Sequence, residues 1–542
     1  MQALPVVGNP TEEDALSWAT AYYANSLAAA IVKANPRIKQ VFDTWMAQGG
    51  SKETLLSNLE RNQDLKNLLL EETPWISEAT EESEQKRRIA LLFDLNSMDN
   101  RLRTSIERLQ ELQLSDGSWS WYKGMTGSRY ITTQIVEMLA RLQHMNVTLD
   151  GKVAPMYTRA LGYLQKAVKE DYETMKKLEK EGATTLVPNS QVVHYLYVCA
   201  LDKQAALLAD KQVNAYMTDR LENRSAEYSI GEKAMIGLIM QAGGRQRQAQ
   251  ELVQSIKEYT VSTPQMGVYF DTPKASYSWN NYRIPAQVAA MEAIQQIAPD
   301  ADMLAGMKLW LLKQKQVQVW ESSIATADAV YAFLNGSGNR LQVNGTMKAV
   351  AGNVEVRTPD DVLGYTRKTL TGTDTHVERV VVSKSGTGIG WGAVYAQYLE
   401  EMDKVLPAKG NGVSVAREWW RDGKQISRKT VLHAGDKMTV RLTIKADRDM
   451  DFIRVKDERA ACMEPDTQLS GYRWNNGVGY YQVNRDASTE FFIDRMPKGT
   501  YTLEYTVYLD RSGIYQAGAA TIQSVYAPEF SGHTGGQTLT VE

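Results

Sequence analysis

The chain has 542 residues, 43% hydrophobic and 23% charged, with a formal net charge of -3. That length suits about two to four domains and at least one large core, and the composition is that of a soluble globular chain. Dispersed Lys and Arg argue against a nucleic-acid surface, and no stretch has the length and apolarity of a membrane-spanning helix.

The N-terminal "MQALPVVGNP" lacks the basic start and long apolar run of a signal peptide. In "DALSWATAYYANSLA", from Asp14 to Ala28, the second half is helical: Tyr22, Tyr23, Leu27, Ile31 and Val32 recur at helical spacing. Up to about Leu341 apolar residues keep this period, and one kind of helix returns. "YITTQIVEMLARLQHM" (130–145), "NSQVVHYLYVCAL" (189–201), "GEKAMIGLIMQAG" (231–243), "IPAQVAAMEAIQQIAP" (284–299) and "IATADAVYAFLNG" (324–336) all begin small or polar and continue apolar. More polar helices such as "SKETLLSNLERNQDLKNLLLEE" and "DMLAGMKLWLLKQKQ" lie between them. Alternation of apolar and amphipathic helices is a helical-hairpin array, and about six such pairs close most naturally into a ring. The expectation for 1–341 is an α/α toroid.

After Leu341 the period falls to two. "KMTVRLTIKA" puts Met438, Val440, Leu442 and Ile444 on one face; "TYTLEYTVYL" does the same with Tyr501, Leu503, Tyr505 and Val507. Turns such as "HAGDK" and "MPKG" separate the strands. A small β-module is expected over 342–409, including "VLGYTRKTLTGTDTHVERVVVSKSG" and "IGWGAVYAQYLEE", and a β-sandwich over 410–542. The fold class is multidomain α and β, a toroid followed by β-sandwich modules. Cys199 and Cys462, the only cysteines, fall in different domains and are not expected to pair.

"QLSDGSWSWYKG" (113–124) carries Gln-x-x-x-Gly-x-Trp, a pattern of toroid repeats. Gln113, Asp116, Trp119 and Trp121 would form a binding floor at one end of the ring, or a clamp between hairpins; the clamp is favoured, since buried aromatics mostly serve packing. Trp279, Asn280, Trp320, Glu321 and Thr326 also sit at helix starts, where they would line that end or act as caps. The five histidines (His144, His194, His376, His433, His533) show no metal-ligand spacing, so no metal or cofactor is expected. Asp360 and Asp361 in "TPDDV" lack the further acid that terpene-cyclising toroids use. Asp116 and Glu137 are lone carboxylates; a toroid glycosidase would need two acids facing one cavity.

"VERVVVSKSGTGIGWGAVYAQYLEEMDKV", "GDKMTVRLTIKADRDMDFIRVKDERAACMEP" and "FFIDRMPKGTYTLEYTVYLDRSGIYQAGAATIQSVYAPEFSGH" together resemble the C-terminus of bacterial α2-macroglobulin-like proteins. "LLKQKQVQVWESSIATADAVYAFL" and "DGSWSWYKG" resemble the thioester domain of the same family. The resemblance runs over nearly the whole chain, in the family's order. It implies a toroid within a CUB-like β-module, then a macroglobulin-type sandwich, as the C-terminal part of a longer envelope protein, periplasmic and anchored to the membrane only through a segment outside this sequence. It also implies broad protease inhibition, in which a cut bait triggers rearrangement and a Cys-x-Glu-Gln thioester captures the protease.

Aligning the family's helix on Tyr22–Ala28 puts the thioester cysteine near Asp14 and its glutamine near Ser17. No Cys and no Glu-Gln pair lies within Met1–Ala24. A thioester joins a thiol to a glutamine side chain, so none is expected here, and Asp14 is read as a cap of the following helix. The expected partners are proteases, held non-covalently. Two alternatives stand beside this: a scaffold beside cell-wall synthesis enzymes, and a toroid enzyme acting on carbohydrate.

Overall fold

A computed structural model of the chain describes residues 3–10, 12–34, 95–222, 227–264, 266–275, 283–314, 320, 322–335, 347–356, 370, 377–386, 394, 401–408, 412–427, 430–475, 477–525 and 530–542. The chain folds as two compact units, Met1–Trp391 and Gly392–Glu542.

The helices of the first unit, numbered among the described residues, are α1 (Ala3–Val7), α2 (Ala15–Ala34), α3 (Leu95–Leu112), α4 (Arg129–His144), α5 (Val153–Lys180), α6 (Ser190–Leu201), α7 (Lys203–Leu208), α8 (Lys211–Glu222), α9 (Ile230–Ala242), α10 (Gln246–Lys257), α11 (Arg283–Ile297), α12 (Ala301–Gln314) and α13 (Ser323–Leu334). They fall into two populations, as the alternation in the sequence predicts. In α4 every residue from Ile131 to Leu142 is buried, and α11 and α13 are nearly as enclosed. In α10 only Ala249, Leu252, Val253 and Ile256 are buried, one stripe at three-and-four spacing. A helix enclosed on all sides must be apolar all round, whereas one that covers a core needs only a stripe.

The enclosed helices pack in succession: α2 on α4, α4 on α6, α6 on α9, α9 on α11, α11 on α13, and α13 back on α2. The amphipathic helices lie against them, α3 on α2, α5 on α4, α10 on α9 and α11, and α12 on α11. Polar side chains close the exposed amide ends of the enclosed helices. Ser128 caps α4, Asn189 caps α6, and Ser322 caps α13. Ser229 and Glu232 form a reciprocal capping box at α9.

The last described α-helix ends at Leu334. The described elements from Met347 onward are strands apart from one short 3-10 turn, so the predicted change of period is borne out. Short strands β1 (Trp119–Ser120) and β2 (Gly127–Ser128) pair, as do β3 (Thr260–Thr263) and β4 (Gly267–Phe270), and β5 (Met347–Ala351), β6 (Val354–Val356) and β7 (Val380–Lys384) form an antiparallel sheet in the order β6-β5-β7, all within the first unit. Several predicted features lie outside the described residues: "SKETLLSNLERNQDLKNLLLEE", Asp360, Asp361, His376, and most of "IGWGAVYAQYLEE".

The second unit holds β8 (Val413–Arg421), β9 (Lys424–Gln425), β10 (Lys437–Ala446), β11 (Met450–Glu458), β12 (Met463–Pro465), β13 (Gly471–Asn475), β14 (Val478–Asn484), β15 (Ser488–Met496), β16 (Gly499–Leu509), β17 (Gly513–Ala517), β18 (Ala520–Ser524), β19 (Ser531–His533) and β20 (Gln537–Val541). Two antiparallel sheets dominate, β12-β16-β10-β8-β9 and β13-β14-β15-β11-β18-β19. The alternating runs read from the sequence are neighbours: Val440 lies opposite Tyr505, Leu442 opposite Leu503, and Ile444 opposite Tyr501. All six are buried, while Arg441 and Glu504 pair on the other face at 2.6 Å.

Side chains of the two sheets meet at Asp457 of β11. Its Oδ1 accepts from Arg417 Nη1 of β8 at 2.6 Å, and its Oδ2 from the Tyr505 hydroxyl of β16 at 2.6 Å. Asp457 and Arg417 are both almost fully buried. Removing one member of such a pair strands the other charge in a low dielectric. Asp457→Ala is therefore expected to cost about 3–5 kcal/mol, measured as a lower denaturant midpoint of the β-unit; Arg441→Ala on the exposed face should cost under about 1 kcal/mol.

Candidate functional site

Helix α2 starts at the predicted thioester position. Asp14 is buried, and its carboxylate is used up by the first turn of the helix. The Leu16 and Ser17 N–H groups donate to Oδ1 at 2.9 and 3.0 Å, and the Ser17 hydroxyl donates to Oδ2 at 2.5 Å. The Ala15 N–H donates to the Trp121 carbonyl at 2.9 Å, which ties the helix start to the loop after α3. Asp14 thus has the geometry of an N-cap, with negative charge at the positive end of the helix. Glu12 and Glu13 are exposed.

The loop from Gln113 to Ser128 contains the Gln-x-x-x-Gly-x-Trp pattern and the short hairpin β1 (Trp119–Ser120) and β2 (Gly127–Ser128). Gln113 Nε2 donates to the carbonyls of Gly117 and Met156 at 3.1 and 2.8 Å. Gly117 has φ +91°, and a Cβ there would stand 2.4 Å from the Arg159 carbonyl oxygen, so only glycine fits. Asp116 accepts from the Ser118 N–H and hydroxyl, which hold its carboxyl below the usual range.

Trp119 is fully buried; its indole N–H donates to Leu109 O at 2.9 Å and its backbone N–H to Thr132 Oγ1 at 2.8 Å. The same arrangement recurs at Trp320, whose indole N–H donates to Leu311 O at 2.8 Å and whose backbone N–H donates to Thr326 Oγ1 at 3.1 Å. In both cases a Trp joins the last turns of an outer helix to a first-turn Thr of the next enclosed helix. Trp119 and Trp320 offer no surface; they are clamps between hairpins. Of the predicted aromatic residues among the described ones, Trp121 alone is exposed, at 47%, with Tyr122 (45%) and Met125 (51%) beside it in sequence. The Trp121 and Tyr122 rings are nearly parallel, their planes 6° apart and their centroids 6.2 Å apart. Tyr122 and Met125 were not singled out, although the cluster "WSWYKGM" ahead of Thr126 was the available signal. Trp279, Asn280 and Glu321 lie outside the described residues.

Sequence reasoning missed a buried polar cluster among the enclosed helices. Arg141 of α4 pairs with Glu137 one turn back at 2.7 Å and with Asp328 of α13. His194 of α6 meets the other Glu137 oxygen at 2.5 Å. The hydroxyls of Tyr197 and Tyr331 donate to Glu292 of α11, each at 2.6 Å, and the Arg141 guanidinium lies over the Tyr331 ring at 4.5 Å. Burial alone would raise the Glu137 carboxyl; Arg141 and His194 overcome it and hold it at about 2. Asp328, sharing that guanidinium, is pushed up by burial to about 6. Burial opposes the charge on His194, but the Glu137 carboxylate outweighs it and raises the imidazole above its ordinary value. Glu137 is thus committed to an ion pair, not poised as a proton donor. Among the described residues no group of three or more His, Cys, Asp or Glu side chains is disposed to hold a metal, and no helix is long and apolar enough to cross a membrane.

Residues 412–529 match the family model described as the bacterial α2-macroglobulin MG10 domain. A curated α2-macroglobulin homolog from Nostoc sp. is 23% identical over 477 residues, which is 81% of this chain and 23% of the relative. The chain is α2-macroglobulin-like. It spans about a quarter of the length of that curated relative. Among solved structures, trypsin-activated α2-macroglobulin from Escherichia coli matches 83% of this α2-macroglobulin-like chain at 14% identity and a TM-score of 0.39, over 30% of its own length. The same protein activated by porcine elastase matches 82% at 14% identity and a TM-score of 0.37, over 39% of its own length.

Replacing Asp14 with Ala is expected to cost about 1 kcal/mol, the loss of a helix cap. Trp119→Ala is expected to cost about 3–5 kcal/mol, and Trp121→Ala under about 1 kcal/mol. Urea unfolding followed by far-ultraviolet circular dichroism reads all three; equal costs for the two tryptophans would refute the clamp.

Proposed function

We propose that this chain is the C-terminal part of a bacterial α2-macroglobulin-like envelope protein that engages proteases without a thioester. The observation that supports the non-covalent half is the start of α2, where Asp14 caps the helix, in the stretch where the resemblance puts a reactive cysteine near Asp14 and its glutamine near Ser17. The first cysteine of the sequence is Cys199. The MG10 match and the alignment across both units support the family reading.

The proposed domains are a toroid resembling the thioester domain over 1–341, a CUB-like module over 342–409 and a macroglobulin-type sandwich over 410–542. The cycle of packed helices from α2 to α13 and back supports the first. The meeting of two sheets at Asp457 supports the last. A periplasmic or envelope location follows from the same reading, as does a non-enzymatic role.

The chemistry differs from covalent capture in one respect. A thioester presents an activated acyl carbon that a lysine amine of the protease attacks, releasing a thiol. A carboxylate such as Asp14 has no leaving group, and both its oxygens already accept hydrogen bonds, so no acyl transfer starts there. A retained protease is held by shape and surface contact alone. The exposed Trp121, Tyr122 and Met125 beside that helix start are of the residue types that interfaces favour.

The test combines methylamine with protease challenge. Methylamine should add no mass and free no thiol, and denaturation should expose two thiols, those of Cys199 and Cys462, which are both unpaired. Burial pushes both thiols up to about 11, so the native protein should react slowly with a thiol reagent at neutral pH. Trypsin or elastase incubated with the intact protein should co-elute in size exclusion and separate fully on a denaturing gel. A protease-sized adduct that survives denaturation would overturn the non-covalent mechanism; no co-elution with either protease would overturn protease engagement.

A further inference from the structure

The buried cluster joins four of the enclosed helices: Glu137, Arg141 and His144 come from α4, His194 and Tyr197 from α6, Glu292 from α11, and Asp328 and Tyr331 from α13. The other two enclosed helices add no charge to it. Lys233 of α9 lies over the Tyr259 ring at 5.5 Å and Glu232 is spent in its capping box, while the Tyr22 hydroxyl of α2 accepts from the Asp150 N–H at 2.9 Å.

The formal charges balance only with a proton on His194. Two carboxylates, Glu137 and Asp328, meet one guanidinium and one imidazole, while Glu292 accepts from the Tyr197 and Tyr331 hydroxyls. Arg141 stays charged at any accessible pH. With His194 protonated and both acids ionised these four groups are neutral together, and loss of the imidazole proton leaves one excess negative charge. An uncompensated charge in a water-poor interior is costly, and no solvent is at hand to screen it: Glu137, Arg141, Glu292 and Asp328 are each no more than 6% exposed.

We propose that this cluster is a proton-held latch: the proton on His194 holds α4, α6 and α13 together, and its release as the pH rises loosens the helix cycle. The inference is independent of the protease reading. The titration directions agree with it. His194 is raised, so its stabilising contribution is complete below its unfolded value of about 6.5 and is lost as the pH climbs through the folded value. Asp328 is raised to about 6, so its ionisation also weighs against the fold as the pH rises. Glu137 is lowered to about 2, so its contribution is lost only in strong acid. The helical unit should therefore be most stable near about pH 4, lose the Asp328 contribution between about pH 4 and 6, and lose that of His194 above about pH 6.5.

The experiment follows the melting of the helical circular dichroism signal of the intact protein at pH 5, 6, 7 and 8, beside a proton NMR titration of its five histidines. The expected result is a melting temperature lower at pH 8 than at pH 5 by about 2 °C or more, and one imidazole that titrates above the ordinary histidine value. His194→Gln keeps a donor towards Glu137 without the charge and should flatten the pH dependence. Asp328→Asn keeps an acceptor for Arg141 and removes the excess charge, so it should raise the melting temperature at pH 8 relative to the unsubstituted protein. Equal melting temperatures at pH 5 and pH 8, an unchanged slope in His194→Gln, or five histidines that all titrate at or below the ordinary value would each overturn the latch. The NMR titration needs no substitution, so it decides the question even where a variant does not fold.

Discussion

A guanidinium buried to 3% exposure, that of Arg141, is the constraint from which the register of α4 against α13 follows. A charge so placed must be met by fixed partners, and it is met within its own helix by Glu137 and from α13 by Asp328. The two attachments fix the rotation of α4 and its height against α13 at once, because a slip by one residue on either helix would turn a charge into apolar packing. Apolar contacts alone tolerate such slips far better. Whether a buried ion pair adds net stability over well-packed hydrophobic groups is often doubtful; its use here is to allow only one register.

How far this was legible in the sequence depends on the range of the interaction. The division into enclosed and covering helices was legible, because it is written in each helix's own pattern: "IVEMLARL" reads apolar on every side and is buried on every side, whereas Gln246–Lys257 shows one stripe and buries one stripe. The strand faces of β10 and β16 were legible for the same reason. The polar cluster was not. Arg141 meets Asp328 across 187 positions of sequence, and Glu292 meets Tyr197 across 95. A lone charge in an apolar helix signals a partner without saying where it lies, so Glu137 reads as an isolated carboxylate in the sequence, although both its oxygens are paired, with Arg141 and His194.

The tryptophan clamps fall between these cases. Gln-x-x-x-Gly-x-Trp announced a tight structural turn at Trp119, and the glycine is required there by the Arg159 carbonyl. Trp320 does the same work without that motif. What the two share is a serine cap followed four residues later by a threonine, Ser128 with Thr132 and Ser322 with Thr326, whose hydroxyls donate back to the serine carbonyls at 2.8 and 2.7 Å. The loops before them differ in length, so the equivalence appears only when the helix ends are placed together. Both clamps meet one physical need: the buried indole N–H donates to a carbonyl in the last turn of the outer helix, where helical partners run out.

A closed cycle of helices has no free end at which an error can be absorbed. Each enclosed helix must begin at the right residue to meet both neighbours, and α2 must fit between α4 and α13 without any member of the charged cluster to register it. Its position is set instead by local bonds: Asp14 on the Leu16 and Ser17 amides, the Trp121 carbonyl on Ala15, and Asn25 Nδ2 on the Gly8 and Ala21 carbonyls at 2.8 Å each. A residue at the head of α2 therefore answers to the closure of the cycle before it answers to any chemistry. A cysteine there would leave the first-turn amides to be satisfied by other means; an aspartate satisfies two of them directly. The physical content of the α2 start is that of a helix terminus under closure, which explains why Asp14 is buried and fully bonded while Glu12 and Glu13, one step outside the cycle, remain in solvent.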